Sequence, residues 1–270
     1  ANSSFFNLYQ DSDLQLAGTN ISAQFAPDNS LGAPDKAATD GFIYKVTGNW
    51  TPTDDLLFFA TYSEGFRPGL LNRPGGAAGP NGFTVPYALD TDDVKNYELG
   101  WKTEIFDNSL RLNGSAFFVK IDNLQTTIFD PSITNLFFSD NAANAEIKGV
   151  EGEFTWAPAS VDGLTVAGAF SFLDTEVTEV LTPTNDVLLG SELAFAPAYQ
   201  GNLRARYEWD LERRIAGSSL TAHVMPQIVF SDSSVSDIVE INKAEIDSSM
   251  TLGATLGVTA DKWTAELFGS

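Results

Sequence analysis

The stretch from Trp50 to Thr103 decides how this chain folds. Its segment Leu56-Leu-Phe-Phe-Ala-Thr-Tyr-Ser-Glu-Gly-Phe66 alternates: Leu56, Phe58, Ala60 and Tyr62 share one face, while Phe59, Thr61, Ser63 and Gly65, mostly small or polar, share the other. After a Gly- and Pro-rich interruption the period of two resumes in Asn96-Tyr-Glu-Leu-Gly-Trp-Lys-Thr103. There Tyr97, Leu99, Trp101 and Thr103 oppose Asn96, Glu98, Gly100, Lys102 and Glu104, so one face carries charge over the whole strand and the other carries none. A soluble sandwich would turn the apolar face to a core and the polar face to bulk water. A transmembrane barrel would turn the same faces to lipid and to a wet lumen.

The pattern continues on both sides of this stretch. Upstream, Phe42, Tyr44, Val46, Gly48 and Trp50 share a face, and Pro52 lies in a tight reversal into the next strand. Downstream, alternation predicts strands over 109–121, 146–157, 164 to about 172, 199–211, 219–230 and 250–258, with a last one at Trp263, Ala265 and Leu267. Between 121 and 146 the sequence reads as a loop rich in Asp, Asn and Phe. Residues 1–41 are polar and aperiodic and read as a long loop, with a short strand at 5–9 as an option; 42–270 read as the strand-bearing part.

Connection lengths separate the two fold classes. Tight turns fall near residues 53, 107, 160, 215 and 261, and long loops lie between them, so short and long connections alternate with a repeat of about fifty residues. A sandwich has no reason to segregate loop lengths by side, and a propeller blade would need four strands in a similar period. A membrane barrel does have that reason: short turns face the periplasm and longer loops face outward, with strands of about 11 residues crossing the bilayer at a tilt. The expected fold class is therefore all-β, an antiparallel up-and-down transmembrane β-barrel of which about ten strands of a larger barrel are present.

Composition narrows the function. Among 270 residues, 43% are hydrophobic and 19% charged, and no apolar run approaches the ~20 residues of a spanning helix. A net charge of −21 would repel phosphates, so nucleic acid is excluded as a partner. With no cysteine and one histidine, disulfides, Cys-His nucleophiles and transition-metal clusters have no ligands in this chain, and no cofactor is expected. No basic segment followed by an apolar one opens the chain, which fits a removed signal peptide or an internal piece of a longer protein.

Four stretches in this order carry a family resemblance: Tyr62-Ser-Glu-Gly-Phe-Arg-Pro-Gly69, Asn96-Tyr-Glu-Leu-Gly-Trp-Lys-Thr103, Leu112-Asn-Gly-Ser-Ala-Phe-Phe118 and Asn144-Ala-Glu-Ile-Lys-Gly-Val-Glu-Gly-Glu153. From about Phe42 to the end the chain resembles the C-terminal barrel half of TonB-dependent outer-membrane receptors. That resemblance implies a plugged barrel in the outer membrane of a Gram-negative bacterium. It implies import of a scarce nutrient such as a ferric siderophore, driven by TonB, ExbB and ExbD, with outer-membrane lipid and lipopolysaccharide around the wall. No stretch resembles the plug or the TonB-contacting box, so the chain reads as a fragment. A passive porin-type channel and a soluble β-rich binding or adhesive protein are the alternatives; transport rather than catalysis is expected in either membrane reading.

Within this frame the candidate ligand contacts are Arg67, Asn72, Arg73, Phe83 and Tyr87 in the long loop after strand 56–66, and Phe137 and Phe138 in the next loop, suited to an anionic or aromatic ligand. Ordinary loop residues are the plain alternative. Asp90, Asp92 and Asp93 offer oxygen ligands for Ca²⁺, against a reading as solvated loop acids. Glu151 and Glu153 lie two apart on one strand face, as an acid and base would, but a wet lumen wall explains them more simply. Gly75, Gly76, Gly79 and Gly82 precede no helix, so a flexible outer loop suits them better than a phosphate cradle. His223 shares a face with Thr221 and Gln227 and reads as a satisfied or solvated histidine. Finally, Trp50, Trp101, Trp156, Trp209 and Trp263 each fall near a tight turn and in the apolar phase of their strand, the placement of an interfacial aromatic girdle.

Overall fold

A computed structural model of the chain describes residues 38–72, 75–135, 137–215 and 218–270. The loop expected over 1–41, with its optional strand at 5–9, lies outside the described residues except for 38–41, which carry no regular structure. Twelve strands follow: β1 (Lys45–Thr53), β2 (Leu56–Arg67), β3 (Asp92–Ile105), β4 (Leu110–Ile128), β5 (Phe138–Trp156), β6 (Leu164–Val180), β7 (Tyr199–Ile215), β8 (Ser218–Ser231), the two-residue β9 (Ser234–Val235) and β10 (Glu245–Ile246), β11 (Ser249–Ala260) and β12 (Trp263–Gly269). Ten of them form one antiparallel sheet in the order β1-β2-β3-β4-β5-β6-β7-β8-β11-β12. Every strand pairs with its chain neighbour except where β9 and β10 form a small ribbon inside the last long loop. Antiparallel succession puts all short connections at one end of the sheet and the long loops 68–91, 129–137, 181–198 and 232–248 at the other.

Register fixes the two faces across the sheet. One hydrogen-bonded row runs Trp50, Phe58, Trp101, Gly114, Gly152, Phe170, Gly201. The adjacent row runs Asn49, Phe59, Gly100, Ser115, Glu151, Ser171, Gln200, Ser231. Since side chains alternate along each strand, these rows face opposite ways and the apolar and polar phases stay apart over the whole sheet. Neither face is covered by a second layer at mid-strand: on the apolar face Leu99 is 66% exposed and Leu252 62%, values no aqueous core would show. Gly100, Gly114 and Gly152 in these rows are seats for aromatic rings. The Trp101 indole lies where a Cβ on Gly114 would have to be, and on the polar face Phe59 lies over Gly100 and Phe117 over Gly149.

Several strands run past the bounds read from alternation. β4 reaches Ile128 and β5 begins at Phe138, so the loop expected over 121–146 shrinks to 129–137, and β6 continues to Val180. The cause is a pair of bulges. Register jumps between Ile121 and Leu124 and again between Leu124 and Gln125, with Asn123 at φ 59°, so the period of two loses phase. Asn side chains mend the backbone there: Asn123 N donates to Asn144 Oδ1 at 2.8 Å and Asn141 Nδ2 to Asn123 O at 2.8 Å. At the other extreme, β1 begins at Lys45, so Phe42 and Tyr44 precede the strand they were expected to join.

The buried apolar cluster sits at the long-loop end. Val85, Ile128, Ile133, Phe138, Ala142, Ala143, Val177, Val187, Ile238 and Val239 pack together, drawing on all four long loops and the ends of β4, β5 and β6. Ala145 pairs with Val177 in the polar phase of β5 and β6, the side that carries Glu151 and Glu153 lower down. The loops therefore fold over the polar side of the sheet, where the hydrophobic effect holds them as a layer.

Candidate functional site

Two features lie on the polar side: a groove at mid-strand and a polar clamp beneath the loop layer. The groove, about 540 Å³, is touched by residues from β2 to β8, among them Phe59, Glu98, Lys102, Glu151, Glu153 and Asn202. Seven neighbouring strands can share one cavity of this size only if the sheet curls with its polar face inside. Glu153 accepts a hydrogen bond from Asn113 Nδ2 at 3.0 Å, and both Glu151 and Glu153 are exposed, as a wet wall requires. His223 is not solvated. It is 2% exposed, its ring occupies the space above Gly257, and its Nε2 lies 3.0 Å from Glu266 Oε1.

The clamp closes the base of loop 68–91. The Arg67 guanidinium grips Asp92 through Nε at 2.8 Å and Nη2 at 2.5 Å, and Nη2 also donates to Gln125 O at 2.9 Å. Gln125 Nε2 faces three carbonyls, Arg67 O at 3.3 Å, Pro68 O at 3.1 Å and Asp90 O at 3.0 Å. Its Oε1 is buried without a hydrogen-bond partner among the described residues. Asn141 exchanges hydrogen bonds with the Asp90 backbone, Asp90 N to Oδ1 at 2.9 Å and Nδ2 to Asp90 O at 3.0 Å. Asn72 does the same with Ser139, at 2.8 Å and 2.7 Å, and so ties the loop to the start of β5. Each of these side chains satisfies backbone groups that a loop folded onto a sheet would otherwise bury unpaired. In the next loop Asp130 is 5% exposed. Burial works against its charge, but hydrogen bonds from Ser132 Oγ, Thr184 Oγ1 and Ser132 N outweigh that and hold its carboxyl below the usual carboxylate range.

The structure places the sequence-derived candidates unevenly. Arg67 and Asn72 both serve the clamp, on different partners, Arg67 with a half-exposed side chain. Tyr87, exposed, lays its ring against Gly75 and Gly76, and Phe137, also exposed, packs at a tilt against Phe129, ring centroids 4.9 Å apart. Phe83 packs against the buried cluster, and Phe138 lies inside it at 2% exposure, in a strand and not in the loop expected for it. Arg73 is outside the described residues. Asp92 is no solvated loop acid: at 4% exposure it is spent on Arg67, and the described residues contain no group of three His, Cys, Asp or Glu that could hold a metal. Sequence reading missed Gln125 and Asn141, whose partners are backbone groups up to 58 residues away. The only local signal was an Asn-rich run that interrupts a strand.

All five tryptophans lie in the apolar phase, nearer the short-turn end of their strands. Trp50, Trp156, Trp209 and Trp263 are exposed, and Trp101 is half-buried on Gly114. They do not share one hydrogen-bonded row. The row through Trp50 and Trp101 meets β5 at Gly152, four residues short of Trp156, and β7 at Gly201, eight short of Trp209. The Trp209 row reaches β12 at Ala265, two residues from Trp263. The tryptophans thus advance ten residues toward the turns over nine strand steps. At ~3.3 Å per residue and ~4.8 Å between strands, a level line through all five would require a sheet tilted by roughly 37°, against the ~35–45° of membrane barrels.

A single curled antiparallel layer, apolar outside and polar inside, with its loops gathered at one end, is the wall of a β-barrel. A family model described as TonB dependent receptor-like, beta-barrel, matches residues 9–269, and the chain belongs to that family. It is 28% identical over 186 residues to the Metal-pseudopaline receptor CntO of Pseudomonas aeruginosa, covering 67% of this chain and 22% of that protein. It is 31% identical over 130 residues to the Ferric-pyoverdine 358 receptor of Pseudomonas putida, covering 46% of this chain and 14% of the relative. Among solved structures, the ferric yersiniabactin uptake receptor FyuA from Yersinia pestis superposes with a TM-score of 0.56 at 20% identity, over 79% of this chain and 29% of that one. The siderophore receptor PiuA from Acinetobacter baumannii gives 0.57 at 18% identity, over 82% and 30%. The chain spans about a fifth of the length of the first of these curated relatives. The porin-type and soluble readings are not favoured.

Proposed function

We propose that this chain forms part of the barrel wall of a receptor in the outer membrane of a Gram-negative bacterium, and that the whole protein takes up a scarce nutrient, such as a ferric siderophore or another metal complex, using energy delivered by TonB, ExbB and ExbD. The observation that carries this reading is the separation of faces. The apolar phase stays exposed from β1 to β12 and the polar phase of the seven strands β2 to β8 lines a groove, so the sheet has one solvent for each side. The names of its relatives, receptors for metal-pseudopaline and ferric pyoverdine, support the substrate class. The wall works as passage and support, not as a catalyst.

In this reading the loops at the long-loop end face outward, and Arg67, Asn72, Tyr87 and Phe137 contribute to capture. Phe83 and Phe138 act from beneath by packing. The half-exposed Arg67 guanidinium, its charge balanced by Asp92, offers N–H donors to an anionic chelate, and Tyr87 and Phe137 supply apolar surface. The test is metal-restricted growth of the source bacterium with and without the full-length gene, across a panel of metal chelates. Loss of growth on one chelate class, restored by the gene and abolished without TonB, is expected. Equal growth on every chelate together with altered passive permeability would replace transport by a porin-type channel.

A further inference from the structure

We propose that Asn81 is a site of spontaneous covalent modification: its side-chain amide is lost to water after attack by its own backbone, and the tip of loop 68–91 gains a carboxylate. The sequence holds two Asn-Gly dipeptides, Asn81-Gly82 and Asn113-Gly114. In such a pair no side chain on the second residue shields its backbone nitrogen, so the fold decides whether the reaction runs. It treats the two oppositely. Asn81 and Gly82 are exposed in a single 3-10 turn, Pro80–Gly82, at the end of a hairpin that Ala78 and Thr84 close. Asn81 stands at φ 53° and ψ 28°, a left-handed conformation that an L residue occupies at a steric cost, so leaving it for the ring-closing geometry relieves strain. Gly82, at φ 81°, has open space where a Cβ would be. Asn113 lies instead in β4 with partners on both sides, Lys102 on β3 and Glu153 on β5, and its Nδ2 donates to Glu153 Oε1 at 3.0 Å. The Trp101 ring covers Gly114, whose backbone the two neighbouring strands hold in the ladder.

Water is the only other reactant. The Gly82 nitrogen bonds to Asn81 Cγ as it gives up its proton; the Cγ–Nδ2 bond breaks, and Nδ2 leaves with that proton as ammonia, which closes a succinimide ring. Water then adds to one of the ring carbonyls and breaks its bond to the Gly82 nitrogen, which takes back a proton. Nothing is oxidised or reduced. Opening at Cγ leaves aspartate in an unchanged backbone. Opening at the main-chain carbonyl leaves an isoaspartyl link, in which the backbone runs through Cγ and is longer by a methylene. That methylene falls inside the turn that seats Phe83. Gly79 N donates to Phe83 O at 2.8 Å and Phe83 N to Pro80 O at 2.9 Å, and the Phe83 ring packs against the buried cluster, 6.3 Å from the Phe138 ring centre. The isoaspartyl form breaks the Pro80–Phe83 bond that spans it and loosens Phe83 from the cluster. The loop that carries Tyr87 then bears a negative charge where it had a neutral amide.

The experiment incubates the full-length protein at mildly alkaline pH, folded in lipid vesicles and separately unfolded in denaturant. Each Asn-Gly peptide is followed by mass spectrometry and by enzymatic methylation of isoaspartyl groups. In the folded protein Asn81 should convert faster than Asn113 by at least on the order of a hundredfold, because the ladder around Asn113 must open first. In the unfolded chain the two should convert at similar rates. Hydrogen exchange separates the two products: the Phe83 amide should lose protection in the isoaspartyl form and keep it in freshly made N81D, which has the charge without the methylene. Equal rates at Asn81 and Asn113 in the folded protein, or an Asn81 that stays intact there while it converts in denaturant, would overturn the site. An isoaspartyl form that keeps Phe83 protected would overturn the loosening of the loop.

Discussion

Arg67 and Gln125, 58 residues apart in the chain, hold each other's backbone: the Arg67 guanidinium donates to the Gln125 carbonyl at 2.9 Å, and the Gln125 amide donates to the Arg67 carbonyl at 3.3 Å. The pair fastens loop 68–91 to β4 at its root. Gln125→Ala would take the amide donor from the Arg67 and Pro68 carbonyls, while Asp90 O keeps Asn141 Nδ2, at ~1–3 kcal/mol for a buried group left unpaired. Amides across 68–91 should then exchange faster with solvent in the full-length protein while those of β11 keep their protection. Unchanged exchange in the loop would mean that its own packing, not the clamp, holds it.

The two faces predict unequal costs for the same substitution one residue apart. Leu203 is exposed in the apolar phase and pairs with Gly168 and Ile228, whereas Asn202 faces the groove. Leu203→Arg should cost ~2–4 kcal/mol near the bilayer midplane, and Asn202→Arg far less. Denaturant unfolding of the full-length receptor in vesicles measures both, and equal penalties would reject lipid as the solvent of the apolar face.

Connection lengths give orientation. Single cysteines at Asp54, Asp107 and Asp162 should resist an impermeant thiol reagent on intact cells, and those at Gly76, Ser132, Asn185 and Ser234 should react. The reverse pattern would turn the barrel over.

The drift of the tryptophans along a tilted level line makes a depth prediction. Single-tryptophan variants carrying Trp50, Trp101, Trp156, Trp209 or Trp263 should all be quenched best by lipids brominated near the headgroups. Depths that follow the hydrogen-bonded rows instead, with Trp101 deep and Trp209 shallow, would show that the sheet is not tilted as a barrel wall.

Asp130 sets a pH limit on the loop layer. Its carboxyl is held below the usual range in the folded protein, so the charged form adds stability above the unfolded value of ~3.9, and that contribution is lost as pH falls through the lower folded value. The difference in unfolding temperature between wild type and Asp130→Asn should be constant above about pH 5 and shrink below about pH 4. A difference that persists undiminished to strongly acid pH would assign the stabilisation to shape alone.

Alternation along Tyr97 to Thr103 and Leu203 to Trp209, and the lengths of the connections, determined by themselves that this is an antiparallel barrel wall with an apolar and a polar side. Both signals are local: side chains alternate with a period of two whatever the partner strand does, and a two-residue turn needs no tertiary help. The order of the strands, the ten-residue drift of the tryptophans across the sheet and the groove were decided by pairing, which sequence does not display. The loop end was decided by tertiary structure alone. The bulge at Asn123 throws the period out of phase, and beyond it Gln125, Asn141 and Asn72 act on backbone groups brought from far along the chain. Phe138 reads as a loop aromatic by its neighbours in sequence and becomes a core residue because loops from four parts of the chain close over it. A side chain's solvent is set by what covers it, and at this end of the barrel the cover comes from elsewhere.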